Sequence, residues 1–221
     1  VAMEPATGDV LAVVGATKYE GFRTYNRATQ MPMAPGSTIK PLSVYTPALE
    51  AGYAVDAEVM DDDSLTYGDD AYSVSNYDRN SLYDTLPMYQ AIAESKNTSA
   101  VWLLDKLGIQ RGISKLEDFG ISIGEADENL GAIALGGMSK GVTPVQLASA
   151  YTTFVNEGVR TQARFITKIV DATGAVIVDN TKPKTNRVTT AAVAEEMTSM
   201  LMGVYADGGT GASAQPSNGM V

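Results

Sequence analysis

APGSTIKP, Ala34 to Pro41, sets a serine directly after Pro-Gly and a lysine three residues further on. Pro-Gly ahead of it and Gly52 behind it predict a helix running from Ser37 to about Ala51. Residues three apart share a helix face, so Lys40 stands one turn beyond Ser37 with its amine in reach of the hydroxyl. The pairing gains meaning from what the chain lacks. It has no histidine and no cysteine, which removes the usual general base, any thiol nucleophile, any thiolate metal site and any disulfide. A hydrolase or transferase built on this chain must draw its base from Lys, Tyr or a carboxylate. A neutral lysine serves if desolvation or a positive potential lowers its pKa. A helix N-terminus supplies such a potential, and its free N–H groups can stabilise an oxyanion. Pro41 has no N–H, so the Ser37 carbonyl loses its regular helical partner.

The bulk composition narrows the classes. The 221 residues suffice for one large domain, or a domain with a subdomain, and 44% hydrophobic residues sustain a core. A net charge of −10 argues against a nucleic-acid partner, which needs clustered Lys and Arg. No apolar run reaches membrane-span length, and no signal peptide is present. The strand-like VAME start without an initiator Met, and the apolar SNGMV end, read as cuts in a longer polypeptide. No cofactor or metal is expected. MDDDS, residues 60–64, lacks EF-hand spacing and reads as an acidic surface loop.

Along the chain, Val1–Glu4 and Asp9–Gly15 flank PATG and predict an antiparallel hairpin. Residues 53–84 are rich in Asp, Ser and Tyr and read as irregular surface. Helices are expected near 86–94, 98–107 and 110–119, with Gly108 and Gly120 closing the last two and Thr98 as a cap. Residues 121–141 read as a Gly-rich connection. Thr143-Pro144 is a strong start for a helix to about Asn156. Phe165–Val170 and Ala175–Val178 flank DATG as a second hairpin, and residues 190–205 form a last helix before GGTG. The organisation is 1–52, about 53–141 as a mainly helical subdomain, and 142–221.

A second chemical element is Ser95-Lys96-Asn97, on a short connection between two helices. A serine there can relay a proton between a lysine and a leaving group, and an asparagine can orient the lysine and hold a substrate amide. Read alone, both elements fit helix capping better than catalysis. With fifteen Ser and nine Lys in the chain, about half an S-x-x-K match is expected by chance.

Taken in order, the pieces are more specific. VAMEPATGDVLAVVG, NRATQMPMAPGSTIKP, AIAESKNTSAVWL and LGGMSKGVTPVQLASAYTTFVNEGV together resemble the transpeptidase domain of penicillin-binding proteins, most closely the bifunctional class A kind. The resemblance runs along nearly the whole chain. It implies a mixed α/β fold of the β-lactamase/DD-transpeptidase type, an antiparallel sheet flanked by helices with an all-helical subdomain. It implies that Ser37 attacks the carbonyl of a D-Ala–D-Ala stem peptide, that Lys40 activates Ser37, and that Ser95 passes the proton to the departing D-alanine. Asn97 would hydrogen-bond Lys40 and the substrate. The acyl-enzyme would transfer to an amine of a neighbouring stem peptide, and β-lactams would acylate Ser37. The implied parent is membrane-anchored, with this domain outside the cytoplasmic membrane.

One motif of the family is missing. K-T-G does not occur in the chain, and Lys184-Thr185-Asn186 is rejected as a substitute because it lacks the Gly and precedes the last helix. The expectation is that a further C-terminal segment carries K-T-G together with later sheet strands. Three rival readings remain. A β-lactamase or β-lactam sensor is raised by Glu125-x-x-x-Asn129 in EADEN, which reads better as an acidic surface loop. A non-catalytic cell-wall-binding fragment is the second. Nucleotide binding at Gly208–Gly211 is the third, weak because no Gly-Lys-Ser/Thr follows.

Overall fold

The computed structural model describes residues 1–18, 21–22 and 24–217. Strands β1 (Ala2–Met3) and β2 (Val10–Ala12) form the opening hairpin, pairing Ala2 with Ala12 and Met3 with Val10. A short helix α1 (Arg27–Gln30) follows, capped by the Asn26 side chain accepting from the Ala28 N–H.

The helix expected from Ser37 forms, but in three geometries. Gly36–Ile39 is a 3-10 turn, Pro41–Tyr45 a π-helical turn, and Thr46–Glu50 an α-helix, α2. Pro41 is the reason. Without its N–H the Ser37 carbonyl has no regular α partner, and it accepts instead from the Lys40 N–H, which tightens the first turn. The Pro41 carbonyl in turn accepts from both the N–H and the hydroxyl of Thr46, five residues on. Serine in this setting does not cap: the position before the turn is Pro35.

Residues 53–84 correct the sequence reading. They contain β3 (Glu58–Asp61), β4 (Thr66–Tyr67) and β5 (Tyr72–Ser73), and lead into β6 (Asp84–Pro87). β3 pairs antiparallel with β6 and β4 with β5. Asp61, expected on a surface loop, is fully buried. Helices α3 (Met88–Ala93), α4 (Asn97–Leu107) and α5 (Ile109–Asp118) lie close to their expected places. The supposed connection 121–141 holds a 3-10 turn at Glu125–Asp127 and a helix α6 (Leu130–Leu135) capped by Asn129. α7 (Pro144–Val155) starts on a full capping box between Thr143 and Gln146.

β7 (Val159–Thr161), the hairpin of β8 (Lys168–Val170) with β9 (Val176–Asp179), and β10 (Thr185–Arg187) precede the last long helix, α8 (Ala191–Met202). Thr185 and Asn186, rejected above as part of a K-T-G substitute, lie in β10, which pairs with β7. Among the described residues every sheet is a two-stranded antiparallel ladder, set among helices.

The core forms around the segment that follows Ser37. Every residue from Ile39 to Leu49 is buried, the polar Lys40, Ser43 and Thr46 among them, and each of these three is hydrogen-bonded. Leu103 and Leu104 of α4, Ile113 and Leu116 of α5, Ile133 of α6 and Met197 of α8 share that core with Ile39, Leu42 and Tyr45. Each such side chain contributes about 1.5–3 kcal/mol on full burial. The fit is tight at Gly112 of α5, where a Cβ would stand 2.9 Å from the Ser43 carbonyl oxygen and 2.8 Å from Leu104 Cδ1. Ser43 pins α6 to the same segment by donating to the Ile133 carbonyl at 2.7 Å. The helix beneath the site is therefore clamped from several sides before any functional group is considered.

Candidate active site

Two backbone features present Ser37. Gly36 takes a left-handed φ of +57°, which turns the chain into the helix. Gly136, just past α6, lies directly behind it: a Cβ on Gly136 would come within 2.3 Å of the Gly36 carbonyl oxygen, so only glycine permits this approach. Tyr151 of α7 braces the other side, donating its hydroxyl to the Thr38 carbonyl at 2.7 Å. Ser37 itself is exposed and lines a cleft of about 440 Å³ with Asn76, Asp78, Ser81, Ser95, Asn97 and Thr210 among its walls. Thr210, in the GGTG turn, is tied there by its N–H to the Ala93 carbonyl.

Lys40, one turn on from the exposed serine, is buried, with 1% of its surface exposed. Its Nζ donates to Asn97 Oδ1 at 2.7 Å, the Ser95 carbonyl at 2.8 Å, Ser95 Oγ at 3.2 Å and the Lys96 carbonyl at 3.3 Å. Burial lowers its pKa from 10.5 to about 7, because the low-dielectric surroundings penalise the charged form. Four acceptors surround an amine that has three protons at most. In the neutral state two N–H bonds suffice for Asn97 Oδ1 and the Ser95 carbonyl, which leaves a lone pair free to take a hydroxyl proton. The structure thus brings Lys40, Ser95 and Asn97 into direct contact and sets Ser37 on the same turn at the cleft wall.

The Ser95 turn has its own cause. α3 ends at Ala93, and Ser95 adopts a left-handed φ of +55°, unusual for a residue with a Cβ. That conformation aims both its carbonyl and its hydroxyl at Lys40. Hydrogen bonds from the Ser95 N–H to the Ile92 carbonyl and from the Lys96 N–H to the Ala91 carbonyl hold the turn. Thr98 does not cap α4 as expected. The cap comes from a distant residue, Asn76, whose Oδ1 accepts the Asn97 N–H at 2.7 Å and the Thr98 N–H at 3.2 Å. Lys96 is folded back beneath the turn, with Nζ 3.3 Å from Glu94 Oε2, 3.6 Å from Asp61 Oδ2 and 4.5 Å from the Tyr83 ring centre. Sequence reasoning missed Asp61, Asn76 and Tyr83, and no local pattern in the 53–84 stretch marks them.

The other candidates fall elsewhere. Glu125 is exposed, Asn129 caps α6, and buried Asp127 accepts the Ser139 and Lys140 N–H groups. None of these lines the cleft. Lys184, Thr185 and Asn186 are also absent from its walls, Thr185 and Asn186 being exposed on β10.

Comparison with known proteins identifies the family. The penicillin binding protein transpeptidase domain matches residues 1–220. The chain belongs to that family. Penicillin-binding protein 2a of Streptococcus pneumoniae strain D39 is 42% identical to this transpeptidase domain over 221 residues, 99% of the chain and 29% of the relative. Penicillin-binding protein 1F of Bacillus subtilis strain 168 is 41% identical over 203 residues, 91% of the chain and 27% of the relative. The chain thus spans under a third of the length of these relatives. The fold is that of penicillin-binding protein A from M. tuberculosis, solved as an imipenem acyl-enzyme complex. That structure matches with a TM-score of 0.81 at 20% identity, over 97% of this chain and 58% of the other. The transpeptidase domain is mixed α/β, as the resemblance of its sequence implies.

Proposed function

We propose that this domain carries the acylating centre of a peptidoglycan DD-transpeptidase, with Ser37 as the nucleophile and Lys40 as its base. The observation that carries the reading is the buried Lys40 amine, its pKa near 7, held between Ser95 and Asn97 one turn from Ser37. Neutral Lys40 takes the Ser37 proton as Oγ attacks the carbonyl of a D-Ala–D-Ala stem peptide. The proton then travels through Ser95 Oγ, 3.2 Å from Lys40 Nζ, to the amine of the departing D-alanine. The acyl group stays on Ser37 as an ester until the amine of a neighbouring stem peptide attacks it, and the same groups run the proton back. The Ser37 N–H, at the start of its turn, is available as one oxyanion donor. Asn97 keeps Lys40 aligned through Oδ1.

β-Lactams enter the same cycle as mimics of the donor peptide, and stall it at the acyl-enzyme. The imipenem, ceftriaxone and penicillin G acyl-enzymes of the M. tuberculosis protein support this, as does the family name of the relatives. A stem-peptide substrate places the reaction outside the cytoplasmic membrane. The K-T-G group that the family adds to the site would come from outside residues 1–221 and would supply the cation for the substrate carboxylate.

The test is covalent labelling of the full-length protein with a fluorescent penicillin, followed by mapping of the adduct. A stable adduct on Ser37, abolished in Ser37→Ala, is the expected result. Labelling that persists in Ser37→Ala, or an adduct on another residue, removes Ser37 from the role. Rapid release of hydrolysed penicillin from Ser37 would move the reading to a β-lactamase.

A further inference from the structure

Resting on Ser37 acylation as the reaction, we infer that buried Asp61 is a positioning residue for it, acting through Asn76 and Thr98 to hold Asn97 against Lys40. Asp61 sits at the end of β3, wholly buried. Its Oδ1 accepts from Asn76 Nδ2 at 2.6 Å and from the Thr98 hydroxyl. Its Oδ2 accepts the Tyr83 N–H at 3.2 Å and lies 3.6 Å from Lys96 Nζ. A carboxylate accepts only, so Asn76 must turn its NH₂ toward Asp61. That choice leaves Asn76 Oδ1 facing the first turn of α4, where it takes the Asn97 and Thr98 N–H groups.

The consequence falls on Asn97. Its backbone is fixed by Asn76, its Nδ2 donates to the Ser75 carbonyl at 3.1 Å, and its Oδ1 is thereby delivered to Lys40 at 2.7 Å. Ser75 and Asn76 are adjacent, so one short segment holds both ends of the Asn97 residue. Asp61 orients that segment through Asn76, and Lys96, next to Ser95 in the chain, brings its Nζ to 3.6 Å from Asp61 Oδ2. Asp61 touches neither Lys40 nor the cleft: it is absent from both sets of contacts.

Asp61→Asn tests the argument at constant volume. An amide offers one acceptor oxygen and one NH₂. With NH₂ in the Oδ1 place it confronts the Asn76 NH₂, while the Thr98 hydroxyl can turn to donate to Asn76 Oδ1, 3.1 Å away. With NH₂ in the Oδ2 place it confronts the Tyr83 N–H and the Lys96 ammonium. Either orientation sets donor against donor, and relief by turning Asn76 over would aim its NH₂ at the α4 N–H groups.

The experiment is a double-mutant cycle on the rate constant of penicillin acylation in the full-length protein, with Asp61→Asn and Asn97→Ala as its two arms. Misplacing Asn97 by about an ångström should slow acylation by about ten- to a hundredfold in Asp61→Asn. In the Asn97→Ala background the same change should cost less than about twofold, because the side chain through which Asp61 acts is gone. A general loss of stability would instead slow both backgrounds alike, so fully multiplying losses overturn the inference, as does an Asp61→Asn protein that acylates at the wild-type rate. If Asp61→Asn fails to fold, Thr98→Val enters the same cycle with the same two outcomes. If the wild type itself is not acylated, the transpeptidase reading fails. A crystal structure of Asp61→Asn then decides the inference alone: Asn97 Oδ1 still bonded to Lys40 overturns it, and a displaced Asn97 supports it.

Discussion

Acylation by this domain should titrate with Lys40. Burial brings its pKa from 10.5 to about 7. At pH 7 roughly half of Lys40 is then neutral, against about three molecules in ten thousand for an ordinary lysine. At pH 6 the neutral share is about one in eleven, and at pH 8 about ten in eleven. The acylation rate constant should therefore rise about tenfold from pH 6 to pH 8 and level off above it. The sign follows from the base role: the protonated amine cannot accept the Ser37 proton, so activity is lost as pH falls through the Lys40 pKa. The assay is stopped-flow acylation by a fluorescent penicillin, with the folded fraction checked at each pH. Lys40→Arg should lower the plateau by about 10²- to 10⁴-fold and flatten the rise between pH 6 and 8, since a guanidinium stays protonated. A flat profile from pH 6 to 8 with a rise near pH 10 would refute a buried neutral lysine. Retained acylation in Lys40→Arg would require a different base.

Two further outcomes concern stability. Between about pH 7 and 10.5 the unfolded chain holds a proton on Lys40 that the folded protein has lost. Its contribution to stability should therefore increase with pH across that window, by at most about 1.4 kcal/mol per pH unit, and the slope should vanish in Lys40→Met. Urea unfolding of both proteins at pH 7, 8 and 9 reads it, and parallel curves would contradict the assigned pKa. Gly112→Ala should lose about 1–3 kcal/mol by thermal or urea unfolding, because the added Cβ meets the Ser43 carbonyl at 2.9 Å, a backbone atom of the central helix that cannot swing aside. A neutral Gly112→Ala would mean that α5 is free to shift.

The sequence disclosed what rests on local rules. Ser37 and Lys40 are one turn apart, Thr143-Pro144 opens α7 with a capping box, and DATG joins β8 to β9. What it hid depends on distant partners. β3 and β6 pair across the residues between Asp61 and Asp84, and neither strand is apolar enough to announce itself. Asp61 is camouflaged by Asp62 and Asp63: three acidic residues in a row look like a solvated loop until a strand carries the first of them inward. β10 is three polar, exposed residues, a strand only because β7 offers its edge. LGAIAL of α6 reads as connection because it contains Gly131 and runs into Gly136 and Gly137. Ser95 and Asn97 were legible as a short motif, but their contact with Lys40 needs the left-handed backbone at Ser95 and the cap from Asn76, neither of which the motif contains.

The π-helical turn at Pro41–Tyr45 has a consequence for the angular phase of the central helix. Relative to an α-helix it accommodates one extra residue, and one residue corresponds to about 100° of rotation. The two ends of the segment are thereby uncoupled. Lys40 and Ile39 take the azimuth that the Ser95 turn and the core require, while Tyr45, Ala48 and Leu49 take another set by the helices around them. Removing a single residue from 41–45 would yield a more regular helix and a worse protein. Either the amine or the buried face would have to swing by that same angle. The same Ser37–Lys40 pair grafted onto an ideal helix would inherit the spacing of the two residues but not their independence from the core.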